Sequence, residues 1–192
     1  MNTGQVLFIL GAFTMLSLLA LNVNRTMNGS LALGLETETT VNALSIGQSM
    51  LDEVMQKSFD SKTISKVAYS TDDLTETRYL GPESGEEIVG IDSAYSEEGV
   101  FHDFHSKSRF NDVDDYNLYH RQIRDARLGY FDVTDSVRYI SETWPDNTSS
   151  GRTFYKVIIV VVRHPNLWRA QDTSSTSMPI VLKDFSVYRQ YF

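Results

Sequence analysis

The clearest pattern in the chain is an apolar run near the N-terminus. Residues 6–23, VLFILGAFTMLSLLALNV, carry no charge, and their polar members are Thr14, Ser17 and Asn22. A bilayer core of about 30 Å needs about 20 such residues in a helix, because a helix rises about 1.5 Å per residue. The run therefore predicts a membrane-spanning helix to which the flanking residues contribute.

Two other interpretations of this run stay open. A cleaved secretory signal would have a basic stretch before the run and a small-residue cleavage site after it. The first charged residue is Arg25, which follows the run, so the pattern favours an uncleaved anchor. A buried core helix is disfavoured because the run is apolar on nearly every face.

A second helical pattern follows the run. Residues 25–40 are polar and lack proline, although Gly29 and Gly34 each weaken a helix by about 1 kcal/mol relative to Ala. In residues 36–60, one arc of the helical wheel collects Val41, Ala43, Leu44, Met50, Leu51, Val54, Met55 and Phe59. The opposite arc collects Glu38, Asn42, Ser45, Ser49, Asp52, Glu53 and Gln56.

This amphipathic pattern predicts a helix that covers the sheet of its own domain. The packing residues are expected to be Leu44, Leu51, Val54 and Met55. A groove on a partner or a membrane surface is the alternative site for the same face.

The rest of the chain reads as loops followed by strands. Residues 61–95 hold most of the turn signals, including GPESGEE at 81–87. Residues 131–139 alternate between apolar and polar side chains, the period of a half-buried strand. Residues 153–163, TFYKVIIVVVR, predict a central strand, and residues 180–191 predict a third.

These elements together predict an α+β fold, in which a long N-terminal hydrophobic and amphipathic helix packs on an antiparallel β-sheet. The strands follow one another with no helix between them, which favours a meander. The predicted divisions are a transmembrane segment at 1–24, an amphipathic helix at 25–60 and a globular α+β domain at 61–192.

Charge and composition narrow the function. The 192 residues carry a formal net charge of −8, and no cluster of Lys and Arg offers a surface for nucleic acid. The chain has no cysteine, which excludes disulfides, thiolate metal sites and a cysteine nucleophile. No nucleophile elbow, HExxH or phosphate loop is present, so we expect no enzymatic activity.

One segment collects oxygen ligands. Asp112, Asp114, Asp115 and Asn117 lie in NDVDDYN at 111–117, and calcium takes 6–8 oxygens from such loops. The segment lacks the central Gly and final Glu of an EF-hand loop. We therefore weigh a calcium site against turn and cap carboxylates that organise a loop; no other cofactor is expected.

The histidines offer a weaker metal hypothesis. His102 and His105 in HDFH could share a zinc ion with Asp103 or His120 as further ligands. The spacing does not support four ligands, so surface histidines are the default interpretation.

Several segments resemble the type IV pilins and the pseudopilins of type II secretion systems. The resemblance rests on the two-part N-terminal helix, on ALSIGQSMLDEVMQKSFD at 43–60, on FNDVDDYNLY at 110–119 and on the closing strands. It covers most of the chain as a pattern, without a decisive motif. It implies a filament subunit processed by a prepilin peptidase, which would cut after Gly4 and methylate the new N-terminus at Gln5.

The chain departs from this family at two points. The leader MNTG has no Lys or Arg, and Ile9 stands at the fifth residue after the cut, where the family normally has Glu. The missing Glu fits a minor or tip-type subunit and equally fits a relative that is never processed.

Two functions follow from the resemblance and the anchor. The first is a structural subunit of a type IV pilus-like or type II secretion pseudopilus filament, with other pilin-like subunits, the membrane and an assembly platform as partners. The second is a single-pass anchored binding module that does not polymerise. Arg25 weakly favours a cytoplasmic C-terminal flank, whereas the acidic, sheet-like remainder favours a domain outside the cytoplasm, anchored in the cell inner membrane.

Overall fold

The chain begins with one long helix. The structure is a computed structural model that describes residues 2–93, 96–97, 100–101, 103–167 and 177–189. Helix α1 runs over Thr3–Met55, and contacts divide the chain into compact units at residues 1–38 and 39–192. Within the first unit, α1 is long and apolar enough to cross a membrane, and its most apolar 18-residue window is 0% buried.

The second unit contains the remaining elements. Its short helices are α2 (Ser61–Ser65) and α3 (His105–Arg109), with 3₁₀ turns at Thr71–Asp73, Thr77–Tyr79 and Asp114–Tyr116. Its strands are β1 (Asp92–Ser93), β2 (Ser96–Glu97), β3 (Val100–Phe101), β4 (His120–Asp125), β5 (Gly129–Tyr139), β6 (Tyr155–Arg163) and β7 (Ile180–Val187).

Five strands form the main sheet, in the order β1-β4-β5-β6-β7. Strands β4 to β7 are antiparallel neighbours, with Val133 paired to Val162 between β5 and β6. The predicted α+β class is confirmed, and β5, β6 and β7 form the predicted antiparallel meander, whereas β4 was not predicted. Strand β1 adds a parallel pair to β4 that was not predicted, because two residues are too short to show a period.

The strand ends differ slightly from the prediction. Strand β6 begins at Tyr155, because the Thr153 hydroxyl donates to the carbonyl of Ile140 and ends the preceding turn. Strand β7 ends at Val187, and residues 190–191 of the predicted strand lie outside the described residues.

Residues 39–55 of α1 pack on this sheet and form the main core with it. The core side chains include Ala43, Met50, Leu51 and Val54 from the helix and Phe131, Val133, Val137, Ile158, Val160 and Val162 from the strands. Each fully buried side chain of this size contributes about 1.5–3 kcal/mol. Of the predicted packing residues, Leu51 and Val54 are in this core, whereas Leu44 and Met55 remain 49% and 41% exposed.

Gly47 marks a close approach of α1 to the sheet. A Cβ atom there would lie 2.6 Å from Cδ1 of Leu182 and 3.3 Å from Cγ2 of Val162. The buried face therefore runs through Ala43, Gly47 and Met50, and it is turned away from Leu44.

Glu53 was predicted on the polar face, and that prediction is wrong. Its side chain is 9% exposed and accepts a hydrogen bond from Arg121 on β4. The polar arc of the helical wheel was expected to face solvent, but a carboxylate can be buried when a charged partner satisfies it.

Candidate functional site

The N-terminal part of α1 presents an apolar surface on all sides. The large apolar side chains of residues 6–23 are between 41% and 80% exposed. The two hydroxyls in this stretch are satisfied within the helix, since Thr14 donates to the carbonyl of Gly11 at 2.8 Å and Ser17 to that of Phe13 at 2.9 Å. Satisfied hydroxyls carry little penalty in an apolar solvent, so this surface is suited to lipid or to other helices.

The predicted processing residues lie at the start of this helix. Gly4 and Gln5 are exposed and occupy the first turn of α1, where the amide of Gln5 donates to the carbonyl of Asn2 at 2.9 Å. A peptidase would have to open this single turn to cut between them.

A buried polar network fixes the other end of α1 to the sheet. Arg121 donates from one nitrogen to Glu53 and Ser106, both at 2.6 Å, and its guanidinium lies 3.9 Å from the centroid of the Phe104 ring. Burial alone would raise the pKa of Glu53, but the Arg121 hydrogen bond and charge outweigh burial and lower it. Glu53 also accepts from Tyr116 at 2.9 Å.

The same network extends to β1 and α3. Asp92 accepts from the Tyr119 hydroxyl at 2.7 Å and from the backbone amide of Ser106 at 3.0 Å. His105 places Nδ1 2.9 Å from the same carboxylate. These bonds tie α1, β1, α3 and β4 together, which assigns the network to the organisation of the fold.

Asp135 lies in this region without a hydrogen-bond partner for either carboxylate oxygen among the described residues. Burial raises the pKa of this carboxyl well above its usual range. The charge of Arg121 lowers the pKa only in part, and the charge of Glu53 raises it further.

The aspartate segment at residues 111–117 is the second polar centre, and its backbone folds around its own carboxylates. Asp112 accepts from the amides of Asp114 and Asp115, at 2.9 and 3.2 Å. Asp115 accepts in turn from the amides of Asn111 and Asp112, at 2.8 and 3.1 Å. The three aspartates are fully buried.

Asp114 faces a lysine in the interior. Lys156 on β6 is 0% exposed, and its ammonium donates to Asp114 at 2.7 Å, to Asp60 at 3.3 Å and to the carbonyl of Phe59 at 2.6 Å. No sequence motif indicated this centre. The one signal was a single Lys in an otherwise apolar predicted strand, since a buried charge requires a partner.

Asp115 faces a different group of acids. Its ligand atom and those of Glu83 and Glu86 all lie within 4.8 Å of one another. Burial raises the pKa of Glu86 to about 7, with help from its hydrogen bond to Glu83 and the charge of Asp115. One oxygen of Asp115 and one of Glu83 have no partner among the described residues.

The predicted calcium ligands do not converge on one point. Asn117 uses both ends of its amide, donating to the carbonyl of Leu80 at 3.0 Å and accepting from the amide of Val137 at 3.2 Å. Asp114 is turned to Lys156 and Asp115 to Glu83 and Glu86, which lie in a distant part of the sequence. The four predicted ligands therefore face different partners.

The zinc hypothesis receives no support from the described residues. His102 lies outside them, while His105 contacts Asp92 and His120 lies 3.5 Å from Asp132. The described group with three convergent ligand atoms is Glu83, Glu86 and Asp115.

Comparisons of the chain with protein-family models, with characterised proteins and with solved structures gave no match. The arrangement of a long apolar N-terminal helix that continues onto a mixed sheet is compatible with the pilin resemblance. The described residues contain one helix that could cross a membrane and an α+β domain.

Proposed function

We propose that this protein is a structural subunit of a pilus-like or pseudopilus filament, held in the inner membrane by α1 before assembly. The observation that supports the proposal is the exposed apolar surface of residues 6–23, whose hydroxyls are satisfied within the helix. Exposed apolar surface of this extent marks an interaction with lipid or with other proteins. In a filament, the same surface would be covered by the helices of neighbouring subunits.

The globular domain would then lie outside the cytoplasm and form the filament surface. Within residues 39–192, Glu53 is bonded to Arg121 and Gly47 lies against the sheet, so the end of α1 is part of this domain. A catalytic role is not part of the proposal, and the partners are other subunits and an assembly platform.

The absence of native cysteine offers a clean test of assembly. Two cysteines are introduced into one chain, one within residues 6–16 and one within residues 24–34, and native membranes are oxidised. A filament should yield a ladder of cross-linked multimers, because each subunit joins two neighbours. Arg138→Cys, an exposed position on β5, serves as the control for random collision.

The outcome separates the two functions. Monomers alone would favour an anchored binding module, and dimers alone would indicate paired helices; either result would exclude polymerisation through α1. Sequencing of the mature N-terminus adds an independent readout, since a methylated Gln5 at the N-terminus would establish prepilin processing.

One observation favours the binding module as the second candidate. A cleft of about 620 Å³ lies between the end of α1 and β7, lined in part by Met55, Phe59, Val67, Phe185 and Val187. Polar side chains such as Lys57, Ser58 and Thr63 complete the lining, so the cleft suits a small polar ligand or a short peptide.

We also propose that calcium, if it is bound, lies between Glu83, Glu86 and Asp115. The supporting observation is that Asp115 is fully buried yet leaves one oxygen without a partner among the described residues. Because the Glu86 pKa is raised to about 7, a bound cation would displace a proton and its affinity should increase as the pH rises through 7.

Calcium should raise the unfolding temperature of the full chain in detergent, and Glu86→Gln should abolish that increase. Glu142→Gln, at an exposed position, should leave it unchanged. Equal midpoints with calcium and with chelator would refute the site.

A further inference from the structure

The loop that precedes β1, residues 87–91, presents an apolar side chain to solvent. Val89 in this loop is 99% exposed. Single apolar side chains on a surface are common and need no explanation by themselves. The way the loop is held, and the surface that would complement it, give Val89 a role.

The loop is fixed on both sides of Val89. Ile88 packs against the main core, and the carbonyl of Glu87 accepts a hydrogen bond from Arg109 at 3.1 Å. Gly90 has a φ of 83°, a conformation that bends the chain and that residues with a Cβ atom rarely adopt. Val89 is thus held at a bend with its side chain outward, so a partner that covers it orders little additional chain.

The neighbours of Val89 in the loop are apolar and acidic. Ile91 is 47% exposed, and Glu87 is also exposed. A surface that complements this loop must therefore offer apolar contacts for Val89 and a cation for Glu87.

The cleft beside β7 offers this combination. Four apolar side chains of its lining are between 38% and 51% exposed: Met55, Val67, Phe185 and Val187. Its charged residues are the cations Lys57 and Arg189, and no described residue of the lining is acidic. In a chain with a net charge of −8, a cleft that carries only cations is suited to an acidic segment.

The loop and the cleft lie at opposite edges of the main sheet. Strand β1, which follows Ile91 directly, is at one end of the strand order, and β7 is at the other. Neighbouring strands are about 4.8 Å apart, so the two edges are separated by about 19 Å. The three residues from Val89 to Asp92 reach at most about 11 Å. The loop therefore cannot fill the cleft of its own chain.

We propose that the loop at 87–91 of one copy inserts Val89 into the cleft beside β7 of a second copy. Val89 then contacts the apolar lining, and Glu87 faces Lys57 and Arg189. The contact joins two different surfaces, so each copy keeps one free loop or cleft and the contact can repeat along an open filament. The choice of a second copy as the occupant rests on the proposed filament function, whereas the complementarity of loop and cleft does not.

The test uses two full-length variants with one introduced cysteine each, coexpressed and oxidised in native membranes. Val89→Cys together with Val187→Cys should give a disulfide-linked dimer, whose digest contains a peptide joining the two positions. Neither variant should form this dimer alone, because neither surface meets its own copy. Val181→Cys, which is 56% exposed on the same strand and outside the cleft lining, is the matched control partner for Val89→Cys. Equal dimer yields with Val181→Cys and Val187→Cys would overturn the proposal.

A charge exchange tests the complementarity itself. Glu87→Arg in the Val89→Cys chain, or Arg189→Glu in the Val187→Cys chain, should lose most of the dimer, because each change weakens the attraction between loop and cleft. The two changes together should restore much of it. A yield that neither change alters would show that the cysteines meet by chance and would overturn the contact.

The result is distinguishable from the test of the filament function. A cross-linked ladder through α1 without the 89–187 dimer would refute this contact and leave the filament function standing. The 89–187 dimer without that ladder would support the contact and exclude polymerisation through α1.

Discussion

Replacing Arg121 by Met tests whether the buried network joins α1 to the sheet. Arg121 is 3% exposed, and it is the cation that faces the buried Glu53 carboxylate. The substitution keeps a long apolar side chain but leaves Glu53 with only the Ser106 and Tyr116 hydroxyls as donors. Removing one partner of a buried ion pair destabilises by about 3–5 kcal/mol.

The measurement is urea unfolding of the full chain in detergent, followed by near-ultraviolet circular dichroism. Arg138→Met, at an exposed position on β5, is the matched control and should stay within about 0.5 kcal/mol of wild type. The double variant Glu53→Gln, Arg121→Met should recover most of the loss, because no charge is then left unpaired.

The pH dependence gives a second readout with a definite sign. In wild type, Arg121 lowers the pKa of Glu53 below its ordinary value of 4.5. The stability that the ion pair contributes is therefore fully present above pH 4.5 and is lost as the pH falls through the lowered pKa of Glu53 in the folded protein. In Arg121→Met, burial dominates and raises that pKa, so the variant should become more stable as the pH falls from 7 to 5. A loss below about 1 kcal/mol with an unchanged pH profile would refute the reasoning.

Three further substitutions probe other parts of the molecule. Asp112→Asn should stabilise the protein at neutral pH, because burial raises the pKa of Asp112 to about 9 and the folded protein loses stability as the pH rises above the ordinary pKa of Asp. The free energy of unfolding, measured at pH 5 and 8, should fall more steeply with pH in wild type than in the variant, by at most about 1.4 kcal/mol per pH unit. Gly47→Val should cost about 1–3 kcal/mol, since its Cβ would lie 2.6 Å from Leu182, and an unchanged thermal midpoint would contradict the close approach. Leu16→Lys should reduce membrane insertion by about 2.5–3.5 kcal/mol, measured as the fraction recovered in membranes, whereas insertion equal to wild type would show that α1 does not span.

The elements of this fold were predictable wherever one face of an element is buried. The alternation at residues 131–139 predicted β5, whose inner face the structure buries. The apolar run at 6–23 determined the exposed surface of α1, because composition alone decides whether a helix suits lipid.

The sites were not predictable in the same way. The helical wheel placed Glu53 in solvent, because its partner Arg121 lies 68 residues away in sequence. The aspartate segment was recognised as a group, but the partners of its side chains were not. Asp114 contacts Lys156, which lies 42 residues away in sequence, and Asp115 lies beside Glu83 and Glu86 from an earlier loop.

The sequence alone thus determined the apolar N-terminal helix, its amphipathic continuation and the three-strand meander, since each follows from local composition and periodicity. Only the tertiary structure decided which charged side chains are buried and what they face. The physical reason is that a charge enters the interior only with a partner, and here the partners are brought together from distant segments by the packing of α1 and the strands.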